Sequence, residues 1–206
     1  MIHAYFCTIG TLIAIQSGFP FRGSIAEAAH GQVLAVQMKD VDPEFGVRWS
    51  GVLRTELPGR KLPDWLLEDD LLFVSRGTRF HAVCLGKPPG PAVCSPHFFH
   101  LRVKPEAKVL PAFVAWQINQ PPFQRRVQQA AEGSSQLSIR RPVLESLCLH
   151  VPSLANQRKL VALADLARQE KKVLLQLVRN RDQQLQALAE QLGGYQVIPT
   201  KPILIE

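Results

Sequence analysis

The sequence has no Gly-rich phosphate loop, no Walker motif and no paired C-x-x-C. It therefore lacks the usual signatures of nucleotide hydrolysis, dinucleotide binding and paired-cysteine zinc sites. The carboxylate motifs expected of a methyltransferase or a nuclease are also missing. Cysteine is sparse: Cys7, Cys84, Cys94 and Cys148 are widely spaced. A chain of 206 residues needs no disulfide staples to hold a core, so the cysteines read as reduced, buried thiols in a cytoplasmic protein. No apolar run is long enough to cross a bilayer, and the opening MIHAYFCTIGTLIAIQSG has no Lys or Arg before its apolar part. It reads as a first strand region, with no membrane role. Charged residues make up 20% of the chain and hydrophobic ones 46%, enough apolar content for a folded core.

The charge that is present is unevenly placed. The net charge is +7. Ten Lys or Arg stand against two acids between Arg76 and Arg141, whereas four stand against eight between Asp40 and Asp70. One part of the fold is basic and another acidic, which fits a directed anion-binding face. Glycine and proline are absent from Ser153 to Leu192. There Leu160, Ala164, Ala167, Leu174, Val178, Leu185, Leu188 and Leu192 recur mostly at steps of three or four, an approximately heptad stripe. Leu163, Leu166, Val173 and Leu177 form a second stripe. The pattern predicts one helix, roughly 60 Å long at ~1.5 Å per residue, capped by Ser153 and closed by Gly193-Gly194. It is either a core helix of its own domain or, as we prefer, a spacer that pairs with a partner helix through Leu160, Leu174, Val178, Leu185, Leu188 and Leu192.

The chain before it divides by period. Ala4–Ile15, Gln32–Met38, Val47–Leu53, Leu71–Val74, Phe80–Leu85, Phe98–Val103 and Cys148–Val151 read as strands. Leu110–Ile118, Phe123–Ala131 and a turn at Val143–Leu147 read as helices, with Pro111 tolerated at a helix start and Pro121-Pro122 as an interruption. The fold class is α+β. A globular domain over 1–152, with a mixed β-sheet and short helices, precedes a coiled-coil-type helix over 153–194 and an extended tail over 195–206.

Five segments, in order, resemble half of the specificity (S) subunit of type I restriction-modification systems. Gln16–Arg22 resembles the opening of that family's target-recognition domain. Val36–Val41 resembles its "I-x-x-x-D-I" strand and turn. Leu67–Gly77 resembles its "L-x-x-G-D-I-L-x-S-R-x-G" segment, with Asp69 where a glycine is usual. Gly133–Ile139 resembles its G-x-x-Q-x-x-I segment, and Val151-Pro152-Ser153 with Gln157 resembles the P-x-x-x-x-Q entry to its spacer helix. The family carries two recognition domains and two spacers; this sequence has one of each. The resemblance implies a non-catalytic DNA-binding chain without cofactor, pairing as a homodimer. Its partners would be a DNA methyltransferase (M) subunit, which binds S-adenosylmethionine, and possibly a restriction/translocase (R) subunit.

A reader of double-stranded DNA needs cations for phosphates and polar side chains on loops for base edges. Arg76, Thr78, Arg79 and His81 offer both around Gly77; the plain alternative is a solvated hairpin tip. Ser134, Ser135 and Gln136, followed by Arg140 and Arg141, form the second candidate; its plain alternative is a helix stop. Arg22, Lys39 and Arg54 are further candidates, as are Arg125 and Arg126 on a helix. Cys84, Cys94, His97 and His100 lie close in sequence, yet on a strand His97 and His100 point to opposite faces, which argues against zinc. The reading from a different class is a coiled-coil adaptor whose globular domain binds a protein.

Overall fold

The computed structural model describes residues 4–59, 62–133 and 136–193. Ser134, Ser135, Gly194 and the segment from Tyr195 to Glu206 lie outside the described residues. The elements follow in the order β1 (Tyr5–Thr8), α1 (Ile9–Leu12), β2 (Ile13–Ser17), β3 (Val33–Val36), β4 (Val41–Asp42), β5 (Gly46–Val47), β6 (Leu53–Thr55) and β7 (Leu71–Val74). Then come β8 (Ala82–Cys84), β9 (Ala92–Cys94), β10 (Phe98–Val103), α2 (Pro111–Ile118), α3 (Pro121–Ala130), α4 (Arg141–Ser146), β11 (Cys148–Val151) and α5 (Leu154–Gly193). The class is α+β. The strands are shared among several sheets: an antiparallel β2-β10-β7-β8, a three-stranded β6-β3-β9 with β3 and β9 parallel, and the pairs β1-β11 and β4-β5.

The four-stranded sheet is the middle layer because its central strands, β7 and β10, are buried on both faces. In β7, Leu71 and Phe73 point into one core with Phe113, Val114, Ile118, Phe123, Val127 and Leu144 from the helices. Leu72 and Val74 point into a second core with Leu34, Val36, Ala92 and Cys94 from the three-stranded sheet. Alternation at period two thus feeds two cores from one strand. Each such fully buried Leu or Phe stabilises the fold by roughly 1.5–3 kcal/mol.

Several expectations change. Val47–Leu53 is not a strand but a 3-10 turn (Trp49–Gly51) between β5 and β6, since Gly51 and Arg48 break the apolar run. Strand β9 was not legible, because a Pro-rich turn precedes three residues that pair in parallel with β3. The break before Pro121-Pro122 is present, but the two prolines open α3, two residues ahead of the expected start at Phe123, for proline costs nothing in a first turn. Between β1 and β2 stands one helical turn.

Two compact units divide the chain, Met1–Ala164 and Asp165–Glu206. The first unit includes the opening turns of α5. The Ser153 hydroxyl accepts the Asn156 N–H at 3.3 Å. Gln157 is fully buried: its Oε1 accepts the Leu110 N–H at 2.8 Å, and its Nε2 donates to Pro152 O at 2.8 Å and Lys108 O at 3.1 Å. Leu160 and Val161 pack on the helix-side core. Leu160, assigned above to a partner helix, is half-buried against this core. In the second unit Leu174, Val178, Leu185, Leu188 and Leu192 are exposed, as are Val173 and Leu177. No helix among the described residues is long and apolar enough to cross a membrane.

Candidate nucleic-acid interface

One end of the four-stranded sheet gathers the candidate residues. There β2 and β7 finish and β8 and β10 begin, because neighbouring strands are antiparallel. Strands β3 and β9 finish at the same end: Phe19 N donates to Cys94 O at 2.8 Å and Ser95 N to Val36 O at 2.9 Å. The segments after Ser17, Val36, Val74 and Cys94 therefore meet.

The two loops singled out in the sequence are laced together. Ile139 N donates to Ser75 O and Gly77 N to Leu137 O, each at 2.9 Å, and Arg76 bridges Ser138. Gly77 and Gly133 make this pairing possible. Both have positive φ, 125° and 129°, which side chains disfavour. A Cβ at Gly133 would also collide with the Gln136 carbonyl oxygen. At Gly77 the requirement is the dihedral and not close approach, since a Cβ there meets nothing within 4 Å.

Within this joined surface Arg76, Thr78, Arg79 and Gln136 are exposed. The guanidinium groups of Arg76 and Arg79 form no ion pair with any described residue. Arg22 and Lys39 are exposed at the same end. His81 differs: its two ring nitrogens are buried and find no hydrogen-bond partner among the described residues, and burial pushes its pKa below the ordinary value. It packs beneath the loop, with neither nitrogen presented at the surface. Arg140 is held by Glu132 at 2.5 Å, and Arg141 by Glu145 at 2.7 Å over a separate cleft bordered by β2 and Lys104. Arg125 and Arg126 are exposed on α3, where Arg126 borders an aromatic hollow with Phe6, Trp116 and His150. Arg54 is exposed on β6. Ser134 and Ser135 fall outside the described residues.

A buried charge cluster, not legible from spacing, sits at the start of β7. Asp70 is 2% exposed and accepts from His100 Nε2, Arg102 Nε and Nη2 and the Leu67 N–H, all at 2.7 Å. Burial alone would raise its pKa; Arg102 above all, then His100 and the Leu67 amide, outweigh that and hold it at about 2. His100 is thus bound to a carboxylate, while His97 lies in the turn immediately before β10. Among the described residues no three His, Cys, Asp or Glu side chains are grouped to hold a metal. Cys7, Cys94 and Cys148 are free thiols, but only Cys94 is fully buried, and burial pushes it up to about 12.

No family model and no curated protein matches the chain. Its fold does match solved structures. The S subunit of the type I restriction-modification system from M. genitalium aligns at TM-score 0.60 and 13% identity, over 93% of this chain and 46% of that one. A chain from work on complex assembly and conformational transition of the type I R-M system aligns at 0.65 and 14%, over 90% and 43%. The HsdS subunit from Thermoanaerobacter tengcongensis aligns at 0.57 and 15%, over 84% and 39%. The chain spans less than half the length of each of these proteins, and at such identities what it shares with them is the fold: a globular α+β domain and a long helix, as in part of a type I S subunit.

Proposed function

We propose that this chain is a DNA-target specificity subunit of the type I kind, carrying one recognition domain. The observation that carries the reading is the lacing of the Ser75–Arg79 and Gln136–Ile139 segments into one surface with uncommitted Arg76 and Arg79. Residues far apart in sequence, flagged separately, meet at the end where six strands begin or finish. The fold shared with S subunits supports the same reading. Arg76, Thr78, Arg79 and Gln136 would reach base edges and phosphates; Arg22 and Lys39 would hold phosphates.

On this reading the chain performs no chemistry. It positions a DNA methyltransferase subunit, which binds S-adenosylmethionine, over the target base, and a restriction/translocase subunit joins the same assembly. The exposed Leu174, Val178, Leu185, Leu188 and Leu192 would pair two copies through antiparallel helices, and two identical domains would then read an interrupted palindrome. The exposed helix leucines also suit a coiled-coil adaptor, and salt separates the two. Binding to duplex DNA should weaken linearly in log–log form with salt, whereas protein docking need not. Arg76→Ala and Arg79→Ala should each weaken binding to a selected site by about tenfold or relax the base choice. Retained affinity and specificity in both variants would remove the loop from the interface, and a monomeric mass at micromolar concentration would remove the homodimer.

A further inference from the structure

The outer edge of β2 is left open where other edge strands are covered. Strand β2 lies at one side of the four-stranded sheet and β8 at the other. Gly18 N donates to Phe98 O at 3.0 Å and Lys104 N to Leu12 O at 2.9 Å, so the even-numbered residues of β2 bond to β10. The main chain of Ile13, Ile15 and Ser17 therefore faces away from the sheet. The Ile13 N–H is taken by Ile9 O of α1. The Ile13 carbonyl and both main-chain groups of Ile15 and Ser17 have no hydrogen-bond partner among the described residues. At the opposite side the Asn119 side chain closes β8: its Oδ1 accepts the Ala82 N–H at 2.9 Å, and its Nδ2 donates to Ala82 O at 2.7 Å. In the three-stranded sheet the Ala28 N–H covers Arg54 O of β6, and the Leu66 N–H covers Ala92 O of β9, each at 2.9 Å. Exposed edges are commonly blunted by charge, proline or a bulge. Ile13-Ala14-Ile15-Gln16-Ser17 has neither charge nor proline, and its register with β10 runs without a break.

This edge lines a cleft of about 640 Å³. Gly10, Lys104 and the Arg141–Glu145 ion pair border it at the Ile13 end, and Ala14, Gln16 and Ser17 are exposed along it. An unpaired strand edge receives an extended peptide through main-chain bonds, while alternate side chains supply preference. The chain carries such a segment itself. Tyr195–Glu206 reads YQVIPTKPILIE and lies outside the described residues. Within it Ile203-Leu204-Ile205 is apolar, free of proline and β-branched at two of three positions, and Glu206 follows. The Lys104 Nζ donates to Gly10 O and Thr11 O at 2.8 and 3.1 Å and meets no carboxylate among the described residues, so that end of the cleft favours an acid. We propose that β2 receives Ile203–Glu206 of a second copy as an added antiparallel strand, with Glu206 toward Lys104 and the main chains of Ile15 and Ser17 as its hydrogen-bond partners. This inference rests on the homodimer reading above. With two helices paired antiparallel, the end of one lies beside the start of the other, and the segment that follows Gly193 arrives at the partner's domain.

Amide hydrogen exchange of the full chain, resolved by residue, tests this. The variant carrying Leu204→Pro together with Ile205→Pro loses a main-chain donor on each side of the segment, whichever side faces β2. The Ile15 and Ser17 amides should exchange about tenfold more slowly in the wild type than in this variant. The Ala14 and Gln16 amides, bonded to β10, should be equally protected in both and serve as the internal control. Ser17→Pro should release the Ile15 amide in the same way, since the N–H it removes faces outward and the β10 ladder stays whole. The mass of the same samples separates the two readings. A dimer whose Ile15 and Ser17 amides exchange equally fast with and without the segment prolines overturns the edge assignment and leaves the homodimer intact. Slow exchange that persists in a monomer puts the segment on its own domain and overturns the second copy as the occupant. A monomer at micromolar concentration with fast exchange removes the homodimer reading and this inference with it.

Discussion

Strand β7 has buried charge just before its first residue and exposed charge just after its last. Asp70, at the near end, is enclosed and bound by His100 and Arg102; Arg76, at the far end, is exposed and pairs only through its backbone. Both belong to one continuous stretch, Leu67–Gly77. The difference shows that counting charges along a sequence does not locate a binding face. Of the ten basic residues between Arg76 and Arg141, Arg102, Arg140 and Arg141 are engaged by Asp70, Glu132 and Glu145, and Lys104 donates to Gly10 O at 2.8 Å. Arg76 and Arg79 remain uncommitted because the segment that pairs with their turn supplies backbone, not carboxylates.

The sharpest way to break the comparison is to neutralise the near end. Asp70→Asn leaves buried His100 and half-buried Arg102 without their carboxylate and should cost about 3 kcal/mol of stability, read by urea denaturation. The acid limb follows with a definite sign. Asp70 has its pKa lowered from 3.8 to about 2 in the folded protein. The ionised group thus contributes stability that is complete above about pH 4 and is lost as pH falls through about 2. The gap between wild type and Asp70→Asn should therefore close over that interval; a gap constant down to pH 2 would show that the carboxylate is not held by its partners. Next in size is Gln157→Ala, which strands the Leu110 N–H and two carbonyls at the entry to α5 and should cost about 2 kcal/mol. Loss of less than about 0.5 kcal/mol would mean that water replaces all three bonds.

At the far end the expected stability effect is near zero. Arg76→Ala and Arg79→Ala should leave the urea midpoint within the equivalent of about 0.5 kcal/mol, while changing DNA affinity. A large loss of stability in either would assign these arginines to the fold and not to a ligand.

These contrasts also mark what could be seen beforehand. The long helix, the start of α2 at Pro111 and strands β3, β7 and β10 were legible because their apolar patterns persist over several residues. So was Gln157, through its place in a resembling segment. Strand β9 was not, since three apolar residues after a Pro-rich turn take their conformation from β3. The meeting of Ser75–Gly77 with Leu137–Ile139 was invisible, because no periodicity encodes which loops will exchange hydrogen bonds. Burial of His81 was missed for the same reason: Thr78 and Arg79 beside it are exposed, and only the tertiary packing turns the imidazole inward.

Asp69 offers the smallest effect and tests the turn that leads into β7. The resembling segment usually has glycine at this position, and the structure explains why: φ at Asp69 is 68°, the one positive φ outside glycine among the described residues. Its N–H donates to Leu85 O at 3.0 Å, and the next residue's carbonyl accepts the Leu85 N–H at 2.8 Å, so the turn cannot relax without unpicking β8. Aspartate tolerates the left-handed region better than most side chains, at a cost of roughly 1 kcal/mol. Glycine removes that strain but gains freedom in the unfolded chain. The two effects oppose each other, and the strain is the larger. Asp69→Gly should raise stability by about 0.5 kcal/mol, and Asp69→Val, whose branched Cβ resists positive φ, should lower it by about 1 kcal/mol. If glycine destabilised the protein as much as valine, the carboxylate of Asp69 and not its dihedral would be what the turn requires.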